Sequence, residues 1–190
     1  MDGRAVTATN RRWIPLRPAA GLTLLELTVT LAVAAVLCAI ALPGLQPLLD
    51  RQRAASARQV LSSHLAFARL AAIQQRQAIR VCASIDGTTC SGDANGWAAG
   101  WIVHRTGQDG GPATAEGPAL RHHTPGYPPG WTIRSSDGRR HLRFLPDGRA
   151  WGTNLTLQIC VRGDLMAEVV VNNSGRVRSE SVRRPGGCPP

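Results

Sequence analysis

The chain has 190 residues and a formal net charge of +10, and every basic side chain other than histidine is arginine. A chain of this length accommodates one modest domain beside a membrane segment, which excludes a large multidomain enzyme. Because arginine binds phosphate in a bidentate geometry, a surplus of arginine favours nucleic acid or another anionic polymer as a partner.

The first element in chain order is an apolar segment at residues 22–42, in which Glu26 is the only charged residue. A helix of this length is about 30 Å long and matches the hydrocarbon core of a bilayer. Residues 1–20 carry four arginines and one aspartate, which predicts a single-pass membrane protein with a cytoplasmic N-terminus and its C-terminus on the opposite side of the membrane. Burying the Glu26 carboxylate costs about 2.5–3.5 kcal/mol on insertion scales, so we expect a partner for it.

The junction between the leader and the apolar segment is unlike that of a secretory signal peptide, which is cleaved behind its apolar region. Here Gly21 precedes the apolar run, and Glu26 is the fifth residue after it. This arrangement resembles the class III signal of type IV pilins and type II secretion pseudopilins. The resemblance implies that prepilin peptidase cleaves between Gly21 and Leu22, that the new N-terminus is methylated, and that Glu26 pairs with the N-terminal amine of a neighbouring pilin subunit.

Two further positions compare with that family. Its members usually start the mature chain with Phe, where this chain has Leu22, and they carry a proline where this chain has Pro43. Without the leader the chain holds 18 arginines against 11 acidic residues, a net charge of +7. An uncleaved signal anchor with an incidental Glu26 is the alternative interpretation.

A second helical segment is predicted over about residues 48–78, because its apolar residues recur near the helical period. We expect its apolar side to pack on the following domain, and Pro43, Gly44 and Pro47 to kink or interrupt the helix. A solvated helix face explains the arginines of this segment better than a DNA-binding stripe does. They are Arg51, Arg53, Arg58, Arg69 and Arg76.

Short strands and turn-rich loops are predicted after Ile79. The fold class is therefore α+β, a long N-terminal transmembrane-plus-amphipathic helix packed on a mostly antiparallel sheet. Gly163 and Asp164 are predicted to form a tight hairpin turn, and residues 106–130 an irregular loop. The predicted strands cover residues 79–84, 97–104, 131–134, 141–145, 155–162, 165–172 and 176–182.

Four of the five cysteines lie beyond the membrane segment. In an oxidising compartment they favour disulfides, and no Cys-x-x-Cys pair supports the alternative of a zinc site. Of the three possible pairings, we favour Cys82 with Cys90, which closes a short loop, and Cys160 with Cys188, which ties the tail to a strand. Cys38 is interpreted as a small residue of the membrane span.

The C-terminal half resembles the globular domain of GspH- and FimT-type minor pilins. The resemblance lies in residues 82–90 followed by 96–103, in a Phe-x-Pro-x-Gly turn at 144–149, and in residues 173–178. The last segment contains a Gly-Arg-x-Arg motif, which resembles that of FimT-type proteins associated with DNA capture. The resemblance implies a minor pilin that supports DNA uptake in natural transformation.

The chemistry of the tail supports DNA binding by a separate argument. In an extended segment Arg176 and Arg178 point to the same face about 6.5–7 Å apart, close to the spacing of successive phosphates, and Gly175 lets the backbone approach a phosphate closely. With Arg183 and Arg184 they predict sequence-independent, salt-sensitive binding.

A second basic cluster extends the predicted DNA-binding surface and opposes only one acid locally, Asp137. Its members are Arg134, Arg139, Arg140 and Arg143. Trp131 or Trp151 would stack a base only if exposed. The alternative for the arginines of the tail is that charged residues at a sheet edge prevent aggregation.

The sequence contains no catalytic motif and no cofactor-binding loop. We therefore expect that the protein is not an enzyme and that it has no cofactor and no metal site. Three hypotheses remain: a DNA-binding minor pilin, a structural, assembly-initiating minor pilin or type II secretion pseudopilin without DNA binding, and a membrane-anchored periplasmic protein that never polymerises. In the first two hypotheses the protein leaves the inner membrane and joins other pilin subunits. In the first hypothesis these subunits form a pilus at the cell surface. The predicted organisation is a cleaved leader at 1–21, a membrane helix at 22–42, its continuation at 43–80 and a β-rich domain at 81–190.

Overall fold

The computed structural model describes most of the chain. The predicted leader up to residue 20, Leu22 and Asp137 lie outside the described part, as does much of the predicted irregular loop. The described residues are Gly21 and residues 23–106, 118–136 and 139–188.

The chain divides into two compact units, residues 1–44 and residues 45–190. Helix α1 (Leu24–Gln75) contributes residues to both. Its first part, Leu24–Leu42, is long and apolar enough to cross a membrane, as the sequence predicts.

The expected interruption of α1 is absent, since the helix is continuous through Pro43, Gly44 and Pro47. A proline inside a helix removes one backbone hydrogen bond. The two prolines are four residues apart, so the missing N–H of Pro47 is the one that would have bonded the carbonyl of Pro43. The lost bonds therefore fall on adjacent turns of one short stretch.

The C-terminus of α1 is at Gln75, earlier than the expected ends at residues 78 and 80. Arg76 follows it with a φ of 51°. A residue in the left-handed conformation at this position ends a helix, because the chain can no longer continue the helical hydrogen bonds.

One apolar stripe of α1 packs into the core of the second unit, as the helical period predicts. Leu70 and Ile73 also belong to the apolar residues of the predicted segment 48–78, but they are 51% and 44% exposed. The buried residues of the stripe are Ala54, Ala57, Leu61, Leu65, Ala68, Ala71 and Ala72.

The strands of the described part form two four-stranded antiparallel sheets, where the sequence predicted one mostly antiparallel sheet. They are β1 (Ile79–Ala83), β2 (Trp101–Arg105), β3 (Arg121–His123), β4 (Trp131–Ser135), β5 (His141–Phe144), β6 (Leu155–Val161), β7 (Asp164–Val171) and β8 (Val177–Arg184). The strand orders are β3-β2-β1-β5 and β4-β6-β7-β8.

Two local predictions differ from the structure. Strand β3 lies inside the predicted irregular loop, and its three residues are too few to show an alternating pattern. The β6–β7 hairpin turns at Arg162 and Gly163, with φ values of 51° and 87°, and β7 already begins at Asp164. A two-residue turn with both φ values positive matches the twist of the flanking strands, so the predicted turn was one residue late.

Candidate nucleic-acid interface

Of the predicted DNA-binding arginines of the tail, Arg178, Arg183 and Arg184 lie in β8, an edge strand of the second sheet, and Arg176 directly precedes it. The hydrogen bond from Asn172 N to Arg176 O (3.3 Å) continues the register in which Val170 faces Arg178, so both arginines lie on the same face of the sheet. We call Arg176 and Arg178 the turn pair. We call Arg183 and Arg184 the tail pair.

All four side chains of these two pairs are exposed. Among the residues that the structure describes, none of the four takes part in an ion pair. An exposed guanidinium without a carboxylate partner keeps its donors available for an anion such as phosphate. The edge of the second sheet is therefore a candidate phosphate-binding surface.

The turn pair and the tail pair do not form one continuous track, because about 17 Å of strand separates them. Glu180 lies between the two pairs and is directly opposite Glu168 of β7 in the register. Like charges in that position repel each other and an approaching polyanion. One oxygen of Glu168 accepts a hydrogen bond from Gln158 Nε2 at 3.0 Å. Of these two pairs, the turn pair is the one farther from the disulfide-linked end of the chain.

Gly175 packs against the protein, whereas the sequence assigned it to close approach of the backbone to a phosphate. Its φ of +76° lies in the left-handed region, and a Cβ at this position would collide with the carbonyl oxygen of Gly148. The same carbonyl accepts a hydrogen bond from Arg69 Nε at 3.0 Å. The Phe-x-Pro-x-Gly turn and the Gly-Arg-x-Arg motif therefore touch each other, and Gly175 is required by that contact.

The β7–β8 turn that carries the turn pair is held by Asn172. Its Oδ1 accepts hydrogen bonds from Arg176 N at 2.9 Å and from Ser174 Oγ at 2.7 Å. Its carbonyl oxygen accepts the N–H of Gly175 at 2.8 Å. A turn fixed in this way loses less conformational entropy when it binds a ligand.

The second predicted cluster is not a uniform basic surface. Arg140 is exposed. Arg134 Nε donates a hydrogen bond to Asn95 Oδ1 at 3.3 Å, and the Arg139 guanidinium donates to two backbone carbonyls. Arg140 is thus the member of the cluster that is best placed to meet a ligand.

A surface tryptophan accompanies the fourth member of this cluster. Trp131 is buried, but Trp151 is 53% exposed, a difference that the sequence left open. The Arg143 guanidinium carbon lies 4.5 Å from the centroid of the Trp151 ring, which is a cation–π distance. Arg143 therefore supports an aromatic ring at the surface.

The arginines of the predicted helical segment 48–78 are not uniformly exposed. Arg58 is half-buried, as is Arg69, which bonds the Gly148 carbonyl. Arg51 and Arg53 of α1 are exposed, as is Arg76 directly after the helix, which agrees with the interpretation of a solvated helix face.

Both favoured disulfides are present, Cys82 with Cys90 and Cys160 with Cys188. The second bond ties the end of the chain to β6. Cys188 N donates to the carbonyl of Gly163 at 3.2 Å, so the tail pair is held close to the β6–β7 hairpin. Cys38 is exposed in α1 and forms no disulfide.

One group of side chains in the described part has the composition of a metal site, namely Cys82, Cys90 and His104. The disulfide removes the thiolates that zinc needs. His104 Nε2 lies 3.4 Å from Cys90 Sγ, and Nδ1 donates to the Arg105 carbonyl at 2.8 Å. Burial lowers the pKa of His104 below its usual value, so this neutral ring packs against the disulfide.

Glu26 lies in the first turn of α1 and is exposed. Its N–H donates a hydrogen bond to Thr23 Oγ1 at 3.2 Å, and Thr-x-x-Glu is the sequence of a capping box. A carboxylate in the first turn also interacts favourably with the helix dipole. Gly21 precedes this turn. The Thr23–Glu26 pattern thus has a local structural role besides the predicted pairing.

The sequence and the fold were compared with known proteins. Residues 57–175, more than half of the chain, match the sequence profile of the family described as type II transport protein GspH. No curated protein sequence matches the chain. The profile match ends at Gly175, so the turn pair lies just beyond it.

Three solved structures are similar to this chain. The type IV minor pilin FimU of Pseudomonas aeruginosa is 25% identical with a TM-score of 0.56, over 73% of this chain and 97% of that one. A second crystal form of FimU is 26% identical with a TM-score of 0.52, over 68% and 95%. The minor pseudopilin EpsH from the type 2 secretion system of Vibrio cholerae is 18% identical with a TM-score of 0.47, over 67% and 96%.

The family match and the structural match to FimU confirm the predicted fold class, a long N-terminal helix and antiparallel sheets in a type IV pilin-like α+β arrangement. They also agree with a structural role, since the family and the fold are those of pilins and pseudopilins. The chain belongs to the GspH family and is a type IV pilin-like minor pilin or pseudopilin.

Proposed function

We propose that this protein is a minor type IV pilin that binds extracellular DNA without sequence preference and supports its uptake in natural transformation. The observation that carries the proposal is the turn pair: two exposed guanidinium groups on one face of an edge strand, without a carboxylate partner among the described residues. The tail pair and Arg140 add exposed positive charge. Such contacts to phosphate give affinity but no sequence specificity.

The geometry makes a quantitative prediction about salt. Each phosphate contact to duplex DNA contributes about 0.9 to the slope of log affinity against log salt concentration. If both members of the turn pair contact phosphates, Arg176→Gln/Arg178→Gln reduces that slope by about 1.8. The rest of the basic surface, including the tail pair, is left unchanged.

The experiment is a titration of duplex DNA with the full chain in an uncharged detergent, at salt concentrations between about 50 and 200 mM. The matched control is Arg51→Gln/Arg53→Gln, which removes the same charge from exposed positions of α1. We expect the turn-pair variant to lose affinity and slope, and the control to lose much less. Equal losses in both variants would refute a specific role of the turn pair, and no binding by the parent would refute DNA binding.

The N-terminal segment supports assembly with other pilin subunits. Prepilin peptidase would cleave between Gly21 and Leu22, and the Glu26 carboxylate would then pair with the N-terminal amine of a neighbouring subunit in the pilus. An intramembrane ion pair offsets the desolvation of both charges only when the two subunits have met. Before assembly the protein would stay in the inner membrane with its C-terminal unit in the periplasm.

The assembly proposal is tested by Glu26→Ala. We expect the variant to be made, cleaved and inserted normally, but to be missing from sheared pili, where the parent is detected by immunoblotting. Glu26→Asp is the control that keeps the charge. Incorporation of the alanine variant at the parental level would show that the carboxylate has no part in assembly.

A second candidate is a structural minor pilin or type II secretion pseudopilin that does not bind DNA. Two observations favour it: the family match ends before the turn pair, and charged residues on an edge strand such as β8 also prevent association between sheet edges. In that case the turn-pair variant would bind DNA no differently from the parent but would aggregate more readily.

A further inference from the structure

Trp151 is unusual among the tryptophans that the structure describes. Trp97 and Trp101 are fully buried and Trp131 is 7% exposed, whereas Trp151 is 53% exposed. An indole is a large apolar surface, and leaving half of one in water forgoes the free energy of burial. The exposed part of this ring is therefore an apolar aromatic surface that is available for contact with a ligand.

The exposed ring is held in one orientation. Arg143 lies on one side of it, at 4.5 Å from the ring centroid. Nε of Arg143 is buried, so this arginine is partly enclosed by the protein where it meets the ring. Trp151 N also donates a hydrogen bond to the Arg143 carbonyl at 2.8 Å, so side chain and backbone are both attached to β5.

A second arginine holds the backbone on either side of the ring. The Arg139 guanidinium donates hydrogen bonds to the carbonyls of Trp151 and Thr153. Between them Gly152 has a φ of +95°, and a Cβ there would lie 2.6 Å from Arg139 Nη2. The segment is therefore built around this arginine, and the ring does not have to be ordered when a ligand arrives.

The tryptophan segment is also joined to the turn that carries the turn pair. Ala150 N donates to the carbonyl of Asn173 at 3.0 Å, and Asn173 N donates to Asn154 Oδ1 at 3.2 Å. Gly148 on one side and Gly175 on the other are in direct contact. The segment that carries the aromatic ring and the turn that carries the two exposed guanidinium groups are thus joined by direct contacts at one end of the second sheet.

A pre-positioned aromatic face beside exposed phosphate-binding side chains is the combination that binds single-stranded nucleic acid. The guanidinium groups hold the backbone, and an unpaired base stacks on the ring. In a duplex the faces of the bases are already covered by their neighbours and cannot reach a tryptophan. We propose that Trp151 is a stacking site for one base of single-stranded DNA, which rests on the proposed function and adds a preference for single strands.

The test separates stacking from charge. The full chain in an uncharged detergent is titrated with oligothymidylate of about 15 nucleotides, and with an abasic oligonucleotide of the same length and charge. The variants are Trp151→Leu, which keeps an apolar side chain without an aromatic face, Trp151→Phe, which restores a smaller one, and Arg176→Gln/Arg178→Gln. Circular dichroism of each variant verifies that the fold is retained.

We expect the parent to bind the oligothymidylate about tenfold more tightly than the abasic strand. Trp151→Leu should remove this preference and leave the affinity for the abasic strand unchanged, and Trp151→Phe should restore part of the preference. The turn-pair variant should lose affinity for both strands alike. This pattern would establish a base-stacking site beside a phosphate-binding site.

Other outcomes overturn the inference in distinguishable ways. Equal affinity of the parent for both strands would exclude stacking and leave phosphate binding standing, while no binding of either strand would refute the proposed function itself. A preference that persists in Trp151→Leu would place the stacking elsewhere. If Trp151→Leu kept the preference and was, in addition, missing from pili, the ring would be a contact to a neighbouring subunit.

Discussion

Gly175→Ala is expected to destabilise the second unit much more than alanine does at another left-handed glycine. Two separate costs meet at Gly175. Its φ of +76° disfavours any residue with a Cβ, by about 1–2 kcal/mol. In addition, the new Cβ would collide with the carbonyl oxygen of Gly148, and overpacking of this kind costs about 1–3 kcal/mol. The expected loss of unfolding free energy is therefore about 2–5 kcal/mol.

Gly92 provides a matched control, because it isolates the first cost. Its φ is +72°, close to that of Gly175, but a Cβ built there meets no atom within 4 Å. Gly92→Ala should lose only about 1–2 kcal/mol. The difference between the two variants measures the contact between the two turns.

The assay is urea unfolding of the full chain in an uncharged detergent, followed by near-ultraviolet circular dichroism. The DNA affinity of each folded variant is measured separately, in the absence of urea. Equal destabilisation by the two alanines would refute the packing role of Gly175. A Gly175→Ala variant that was as stable as Gly92→Ala but bound DNA weakly would instead support direct approach of this backbone to a phosphate.

Three further changes are expected to alter stability in the same assay. Arg162→Asn keeps a residue that tolerates a φ of 51° but removes the partner of the buried Asp50 carboxylate, 2.9 Å away, at a cost of about 1–3 kcal/mol. Cys160→Ser/Cys188→Ser opens a disulfide across a sequence separation of 28 residues and should cost about 2–4 kcal/mol. Burial, followed by nearby cationic groups, lowers the pKa of His64 in the folded state, so the unfolded state binds protons first. The contribution of His64 to the free energy of unfolding should therefore be fully present above about pH 6.5 and decrease as the pH falls below that value. His64→Asn should flatten this pH dependence.

Each of these three expectations has a result that would contradict it. A double variant Asp50→Asn/Arg162→Asn that is no more stable than Arg162→Asn alone would show that the unpaired carboxylate is not the source of the loss. Parental stability after reduction of the wild-type chain would deny a stabilising role to the disulfides. An unchanged pH dependence in His64→Asn would assign the acid sensitivity to other buried histidines.

Features that follow from a local pattern could be predicted from the sequence. The buried stripe of α1 follows from the helical period, which repeats over many residues and averages out single exceptions such as Leu70. Alternating burial along β7 follows from the two-residue period of a strand. The apolar segment that is long enough to cross a membrane and the arginine-rich turn pair could also be predicted, because a long run with one charged residue and a surplus of arginine do not depend on what packs around them.

Features that depend on two distant segments could not be predicted in this way. Exposure of Trp151 depends on how its segment lies against β5 and Arg143, and nothing in the neighbouring residues distinguishes it from the buried tryptophans. The sequence around Gly175 is that of a turn, but only the position of the Gly148 carbonyl in the fold shows that a Cβ does not fit there. The opposition of Glu168 and Glu180 results from the register of β7 and β8. The sequence by itself determined the elements and the surplus of charge; only the tertiary structure decided which side chains share a surface, because that requires residues far apart in the chain to be brought into contact.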